Sequence, residues 1–201
     1  MADINIEKII QQVVREVMAK STSSDTSSQV SVVPGQQADL TMTEKSVNQK
    51  DIVKRVAIGS DHGGFEAKEA LKAYLQTLGY AVTDVGAYSK ESVDYPDYAL
   101  AVARKVASGA CDRGIMIDGA GIGSSMVCNK VRGIRAALCY NIKTVINSRE
   151  HNNANVLTLG GPLHPPAELC EMAKVWLETR FAGGRHWRRI NKMMAVERTT
   201  A

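Results

Sequence analysis

One run, Gly114-Ile115-Met116-Ile117-Asp118-Gly119-Ala120-Gly121-Ile122-Gly123-Ser124-Ser125, constrains this chain more than any other. Its apolar head is too short for a helix and is closed by glycine, so it reads as a buried strand of a parallel sheet. Alternating glycines follow, then Ser124 and Ser125, which are placed to cap a helix over 126–130. A strand, a glycine turn and a helix N-terminus in succession aim backbone N–H groups at one point. That point suits an anion or a developing oxyanion. Asp118 closes the strand at the lip of this cradle, where an open α/β sheet keeps its ligand. A carboxylate there is a poor core residue and a good chemical one.

The flanking sequence supplies the rest of such a sheet. Val56-Ala57-Ile58 reads as a strand ending in Gly59-Ser60-Asp61-His62-Gly63-Gly64, followed by a helix with Phe65, Ala67, Leu71 and Leu75 at helical spacing. Tyr80-Ala81-Val82-Thr83-Asp84-Val85 is a second strand, and Pro96 opens a helix carrying Tyr98, Ala99, Val102 and Val106. Residues 114–118 are the third strand, Ile134-Arg135-Ala136-Ala137-Leu138-Cys139 the fourth and Val156-Leu157-Thr158-Leu159 the fifth. Helical patterns at about 141–149 and 165–181 separate or follow them, and a last helix runs from Trp187 to Glu197 after Gly183-Gly184. Strands alternating with helices predict an α/β domain over 55–201. Its five-stranded parallel sheet is doubly wound, Rossmann-like or flavodoxin-like.

Ahead of that domain the pattern changes. Ile6, Ile9, Ile10, Val13, Val14, Val17 and Met18 form the apolar stripe of one amphipathic helix over residues 1–20. A helix of that length is marginal alone in water, so its stripe wants a partner: its own domain, a second copy, or another protein's groove. Residues 21–54, rich in Ser, Thr, Gln and Asp, read as a flexible linker. A helix on such a tether is similar to the encapsulation peptides that carry enzymes into bacterial microcompartments, which implies a shell protein as partner.

Composition removes other classes. No apolar run approaches the roughly 18 residues of a membrane helix, and a formal charge of +4 does not argue for nucleic acid. Cys111, Cys128, Cys139 and Cys170 lie far apart with no CxxC pair. They read as reduced, mostly buried thiols and neither as a disulfide frame nor as a zinc site. There is no secretory segment, and Asp3, Glu7 and Glu16 argue against a transit peptide, so the expected location is the cytoplasm or a microcompartment lumen.

The glycine loop is not a dinucleotide fingerprint. It follows the third strand, its spacing is GxGxG, and the next strand closes with Cys139-Tyr140, not with an acid. Asp61 and His62 leave the first strand at the same sheet edge; either alone reads equally as a cap or a solvated loop residue, and together beside the cradle they read as an acid/base pair. His151, flanked by Asn152 and Asn155, offers a proton carrier with amides for sugar hydroxyls. Arg185 and Arg189 lie one turn apart, so their guanidinium groups can converge on a phosphate.

Ser60-Asp61-His62-Gly63-Gly64-Phe65, Asp94-Tyr95-Pro96-Asp97-Tyr98, the glycine loop with Asn129-Lys130, His151-Asn152-Asn153-Ala154-Asn155 and Gly183-Gly184-Arg185-His186 occur in that order. Over about 55–198 they resemble the ribose-5-phosphate isomerase B family, which also holds the two galactose-6-phosphate isomerase subunits. The resemblance implies an aldose–ketose isomerase of sugar phosphates, without metal or cofactor. It implies a homodimer or a dimer of dimers, with active sites shared across the interface. By position, His62, Arg185 and Arg189 would hold the phosphate and Asn152 the sugar. Asp61, Tyr95 and His151 would handle hydroxyl protons and ring opening. Gly119, Gly121, Ile122, Gly123 and Ser124 would hold the enediolate.

The chain departs from the family in three respects. The base is a cysteine at position 118 in one branch and a glutamate at position 124 in another, whereas this chain has Asp118 and Ser124. Ala120 replaces a hydroxyl residue, and Pro162 replaces a phosphate-binding arginine. Asp118 is the expected base, since burial strengthens a carboxylate as a base. The departures also admit a phosphosugar-binding or scaffold protein without turnover, or one subunit of a galactose-6-phosphate-type hetero-oligomer.

Removal of residues 1–20 is expected to leave activity and oligomer intact while abolishing co-localisation with a shell or scaffold in fluorescence microscopy. An oligomer that splits on deletion makes this helix structural.

Overall fold

The computed structural model describes residues 53–199 and, before them, Arg15. The helix over 1–20 and the linker over 21–54 otherwise fall outside the described residues.

The described chain alternates as the pattern requires: β1 (Arg55–Ser60), α1 (Phe65–Thr77), β2 (Ala81–Asp84), α2 (Tyr95–Ala107), β3 (Arg113–Asp118), α3 (Ile122–Cys128), β4 (Ala136–Leu138), α4 (Ile142–Glu150), β5 (Val156–Gly160), α5 (Pro166–Glu178) and α6 (Arg185–Thr199). All strand pairs are parallel, in the order β2-β1-β3-β5-β4, which puts β3 at the centre. Successive residues of β3 serve opposite faces. Ile115 and Ile117 pack with Val56, Ile58, Leu157, Leu159 and the α1 and α5 side chains Leu71 and Trp176. Met116 packs on the other side with Ala57, Val156 and the α2 residues Ala99 and Val102. Burial on both faces explains why the strand reads as an unbroken apolar run. All four cysteines are free and buried.

Among the boundaries that differ from the sequence pattern, which include β2 at Ala81–Asp84 and a last helix that begins at Arg185, three have a local reason. The helix after the glycine loop starts at Ile122, not at Met126, because Gly121 takes a left-handed φ of 75° and itself occupies the N-cap position. Ser124 and Ser125 therefore lie inside α3 and do not cap it. The fourth strand shrinks to Ala136–Leu138: the Arg135 N–H donates to Asn155 Oδ1 at 2.7 Å and the Ala136 N–H to Asn129 Oδ1 at 2.9 Å. Side chains thus take the backbone groups that a longer strand would have paired. α5 stops at Glu178, where Thr179 turns extended with its hydroxyl on the Val175 carbonyl at 2.6 Å. The break before α6 is made by consecutive left-handed glycines, Gly183 at φ 65° and Gly184 at φ 52°.

Gly64 shows how tightly the first loop is seated. A Cβ there would strike the Ile117 carbonyl, coming within 2.7 Å of its carbon. Backbone cannot swing aside, so Gly64→Ala is expected to destabilise the domain by about 3 kcal/mol in urea unfolding. A loss under about 1 kcal/mol would show that the β1–α1 loop is not locked onto β3.

Candidate active site

Because β1, β3 and β5 are parallel neighbours, the loops leaving their carboxyl ends meet. A Cβ built on Gly63 would lie 3.8 Å from the Gly119 backbone, and one on Gly160 would lie 3.1 Å from Ala120 Cα. A Cβ on Gly123 would stand 2.5 Å from the Tyr95 hydroxyl, so the start of α2 brings that phenol directly onto the first turn of α3. Asp61, His62, Tyr95, Asp118 and the 119–123 loop therefore share one edge. Pro162 lies exposed at the same edge in a short 3₁₀ turn, Gly161–Leu163, and offers no donor to a phosphate.

Asp118 is 4% exposed and is the focus of the glycine loop. Its Oδ1 accepts from the Ala120 N–H at 2.8 Å and from the Gly121 N–H. Its Oδ2 accepts from the Ser124 N–H at 3.2 Å and from the Ser124 hydroxyl. The cradle thus already holds an anion, supplied by the chain itself. Ala120, Gly121 and Ser124 donate inward, to the chain's own carboxylate. Asp118 takes no bond from Ile122 or Gly123, whose N–H groups in the first turn of α3 have no intrahelical partner. Burial, and after it the charge on Asp118, pushes the Cys128 thiol up to about 12, so this cysteine is no nucleophile.

Asp61 is 7% exposed, with its Oδ1 accepting the Gly64 N–H at 2.9 Å. Its Oδ2 accepts nothing among the described residues and is not sealed from solvent. His62 is exposed, and its Nδ1 accepts the Val93 N–H at 3.3 Å. The proton of the neutral ring then sits on Nε2, which makes that nitrogen an outward donor. The segment between β2 and α2 is fixed at its other end by Lys68. This lysine is wholly buried, with its ammonium 2.8 Å from both Asp84 and Glu69. Burial alone would raise the Asp84 carboxyl, but hydrogen bonds from Lys68, Lys72 and the Gly86 N–H hold it below the usual range.

The remaining residues singled out from the sequence gather elsewhere. His151 caps the carboxyl end of α4 and stacks on His186 of α6, with ring centroids 4.4 Å apart and planes 8° apart. Its Nδ1 meets the Asn147 amide nitrogen at 2.9 Å. Arg185 and Arg189 stand exposed at the start of α6. His186 is the member of this group that spacing alone had not assigned. Arg149 is buried against Trp176 and holds the Asn153 side chain and the Ala154 carbonyl, which shapes the 151–155 turn.

This second group lies at the amino edge of the sheet. β5 begins after it, with Val156 beside Gly114, whereas Asp118 lies beside Gly160 four residues further along. At about 3.3 Å per residue, roughly 13 Å of strand separates the two edges before the loops are added. One chain therefore carries both halves of the expected site but does not bring them together.

Among the described residues no helix is long and apolar enough to cross a membrane, and no cluster of three His, Cys, Asp or Glu is placed to hold a metal.

A doubly wound sheet with carboxylates and a glycine loop at its carboxyl edge defines an α/β protein whose ligand edge carries titratable groups. Residues 56–193 match the family described as Ribose/Galactose Isomerase, and the chain belongs to that family. Ribose-5-phosphate isomerase B of Escherichia coli K12 is 42% identical over 146 residues, 72% of this chain and 97% of the relative. The solved ribose-5-phosphate isomerase B of Clostridium thermocellum superposes with a TM-score of 0.72 at 46% identity, covering 73% of this chain and 99% of that one. The Mycoplasma genitalium enzyme, solved with bound ribulose 5-phosphate, gives 0.69 at 40% identity, covering 72% and 96%.

Burial, and then the charges of His151, Arg185 and Arg189, push His186 below the usual histidine range. The folded ring binds its proton more weakly than the unfolded one. Stability linked to it is therefore complete above pH about 6.5 and is lost as the pH falls below that. Between pH 7.5 and 5.5 the melting temperature of wild type is expected to drop further than that of His186→Phe, which keeps a ring against His151. Equal drops would remove His186 as the cause.

Proposed function

We propose that this protein interconverts an aldose phosphate and its ketose, ribose 5-phosphate and ribulose 5-phosphate, through an enediolate. The observation that carries this reading is the meeting of Asp61, His62, Tyr95 and the 119–123 loop at one sheet edge, in a chain 42% identical to a ribose-5-phosphate isomerase B. The working site pairs the carboxyl edge of one copy with the amino edge of a second. The separation of the two groups within one chain, and the exposure of Arg185 and Arg189, support this arrangement. His62 Nε2–H and the two arginines hold the phosphate, His151 and Tyr95 open the ring, and Asn152 takes a sugar hydroxyl. Gly119 and Gly121 let the loop approach the substrate, and the N–H groups of Ile122 and Gly123 steady the enediolate. Residues 1–20 act as the address that brings the enzyme to a microcompartment shell.

A second reading, binding without turnover, is favoured by one feature: the cradle is occupied by Asp118, while Ala120 carries no hydroxyl and Pro162 no side-chain donor. Proton NMR of ribose 5-phosphate with the protein in deuterated water separates the two. Isomerisation gives ribulose 5-phosphate, with deuterium entering at carbon, whereas binding alone shifts the phosphorus resonance and leaves the sugar unchanged.

Mixing tests the two-chain site. His62→Ala and Arg189→Ala variants, each expected to lose at least tenfold in kcat/KM, should recover activity when refolded together, since mixed dimers regain one complete site. A mixture no more active than its parts would place the site within one chain.

A further inference from the structure

Resting on the isomerase reading, we infer that Asp61, not Asp118, is the base that carries the proton between C2 and C1. A base needs a lone pair open toward the C–H bond, and a carboxylate has about four such positions on its two oxygens. Asp118 has all four taken, two N–H groups on Oδ1 and one N–H and one hydroxyl on Oδ2. Asp61 has one taken, by the Gly64 N–H, which fixes the group and leaves Oδ2 open.

The other candidates at this edge are engaged or solvated. Asp84 is bound by Lys68, Lys72 and the Gly86 N–H, with the lysine contacts at 2.8–2.9 Å. Asp94 is exposed and makes no capping bond at α2. His62 accepts at Nδ1 from Val93 and so presents a donor, not a base, at Nε2. Asp61 is both 7% exposed and open at one oxygen, beside the 119–123 loop, whose Ile122 and Gly123 N–H groups Asp118 does not take.

The step balances without a co-reactant. Asp61 Oδ2 takes the C2 proton, the C–H electron pair becomes the C1=C2 bond, and the carbonyl pair moves onto O1. The carboxylic acid then returns the proton to C1 while the O2–H bond supplies the new C2 carbonyl. The O2 proton passes to O1 through the Tyr95 phenol. Asp118 is a positioning residue that shapes the loop.

The test follows deuterium exchange at C2 of ribose 5-phosphate by NMR, with binding read from the phosphorus resonance and folding from the melting temperature. Asp61→Asn is expected to lose exchange by 10²–10⁴-fold, the usual contribution of a general base, while still binding. Asp61→Glu is expected to restore part of it. Asp118→Asn is expected to melt lower and to keep measurable exchange. Exchange that survives Asp61→Asn, or that vanishes in a folded, binding Asp118→Asn, overturns the assignment alone. Absence of exchange in wild type overturns the isomerase reading and this inference with it.

Discussion

The bond set around Asp118 organises the centre of this molecule. A buried carboxylate without partners is strongly disfavoured. Here four donors converge on it from the single span 120–124, and charge-assisted hydrogen bonds contribute roughly 1.5–3 kcal/mol each. The positive end of α3 adds to the attraction. The loop must fold tightly for this, which Gly121 permits with its left-handed backbone and with a Cα packed against Leu138 and Leu159. The consequence is a loop whose shape is set before any ligand arrives. Two N–H groups in the first turn of α3, those of Ile122 and Gly123, are left over from this bond set.

The parallel sheet accounts for the division of labour between its edges. Every β-to-α turn falls at the carboxyl edge and every return at the amino edge, so Asp61 and Asp118 cannot share an edge with His151. The amino-edge group is itself rigid: the stacked rings of His151 and His186 tie α4 to α6, and Arg149 braces the turn from beneath. The two preformed groups therefore lie at opposite edges of one sheet.

Much of this was legible in the residues. The short apolar run 114–118, the alternation of strand and helix patterns and the position of Asp118 at a strand end led directly to the observed sheet, since periodicity reports burial. The ordered motifs led to the family. The helix start at Ile122 was not legible, because Ser124 and Ser125 look like caps until the φ of Gly121 is known. The short β4 escaped for a related reason: the side chains of Asn129 and Asn155, outside the strand, take the N–H groups of Ala136 and Arg135.

The sequence by itself determined which side chains exist to do chemistry and which edge of a parallel sheet each would occupy, because connectivity alone assigns a loop to an edge. Only the tertiary structure decided how those groups are engaged. Asp61 and Asp118 are the same residue type at equivalent strand ends, yet one is nearly free and the other is saturated with donors. Hydrogen-bond saturation depends on where neighbouring N–H groups point, which is a property of packed backbone and not of residue type.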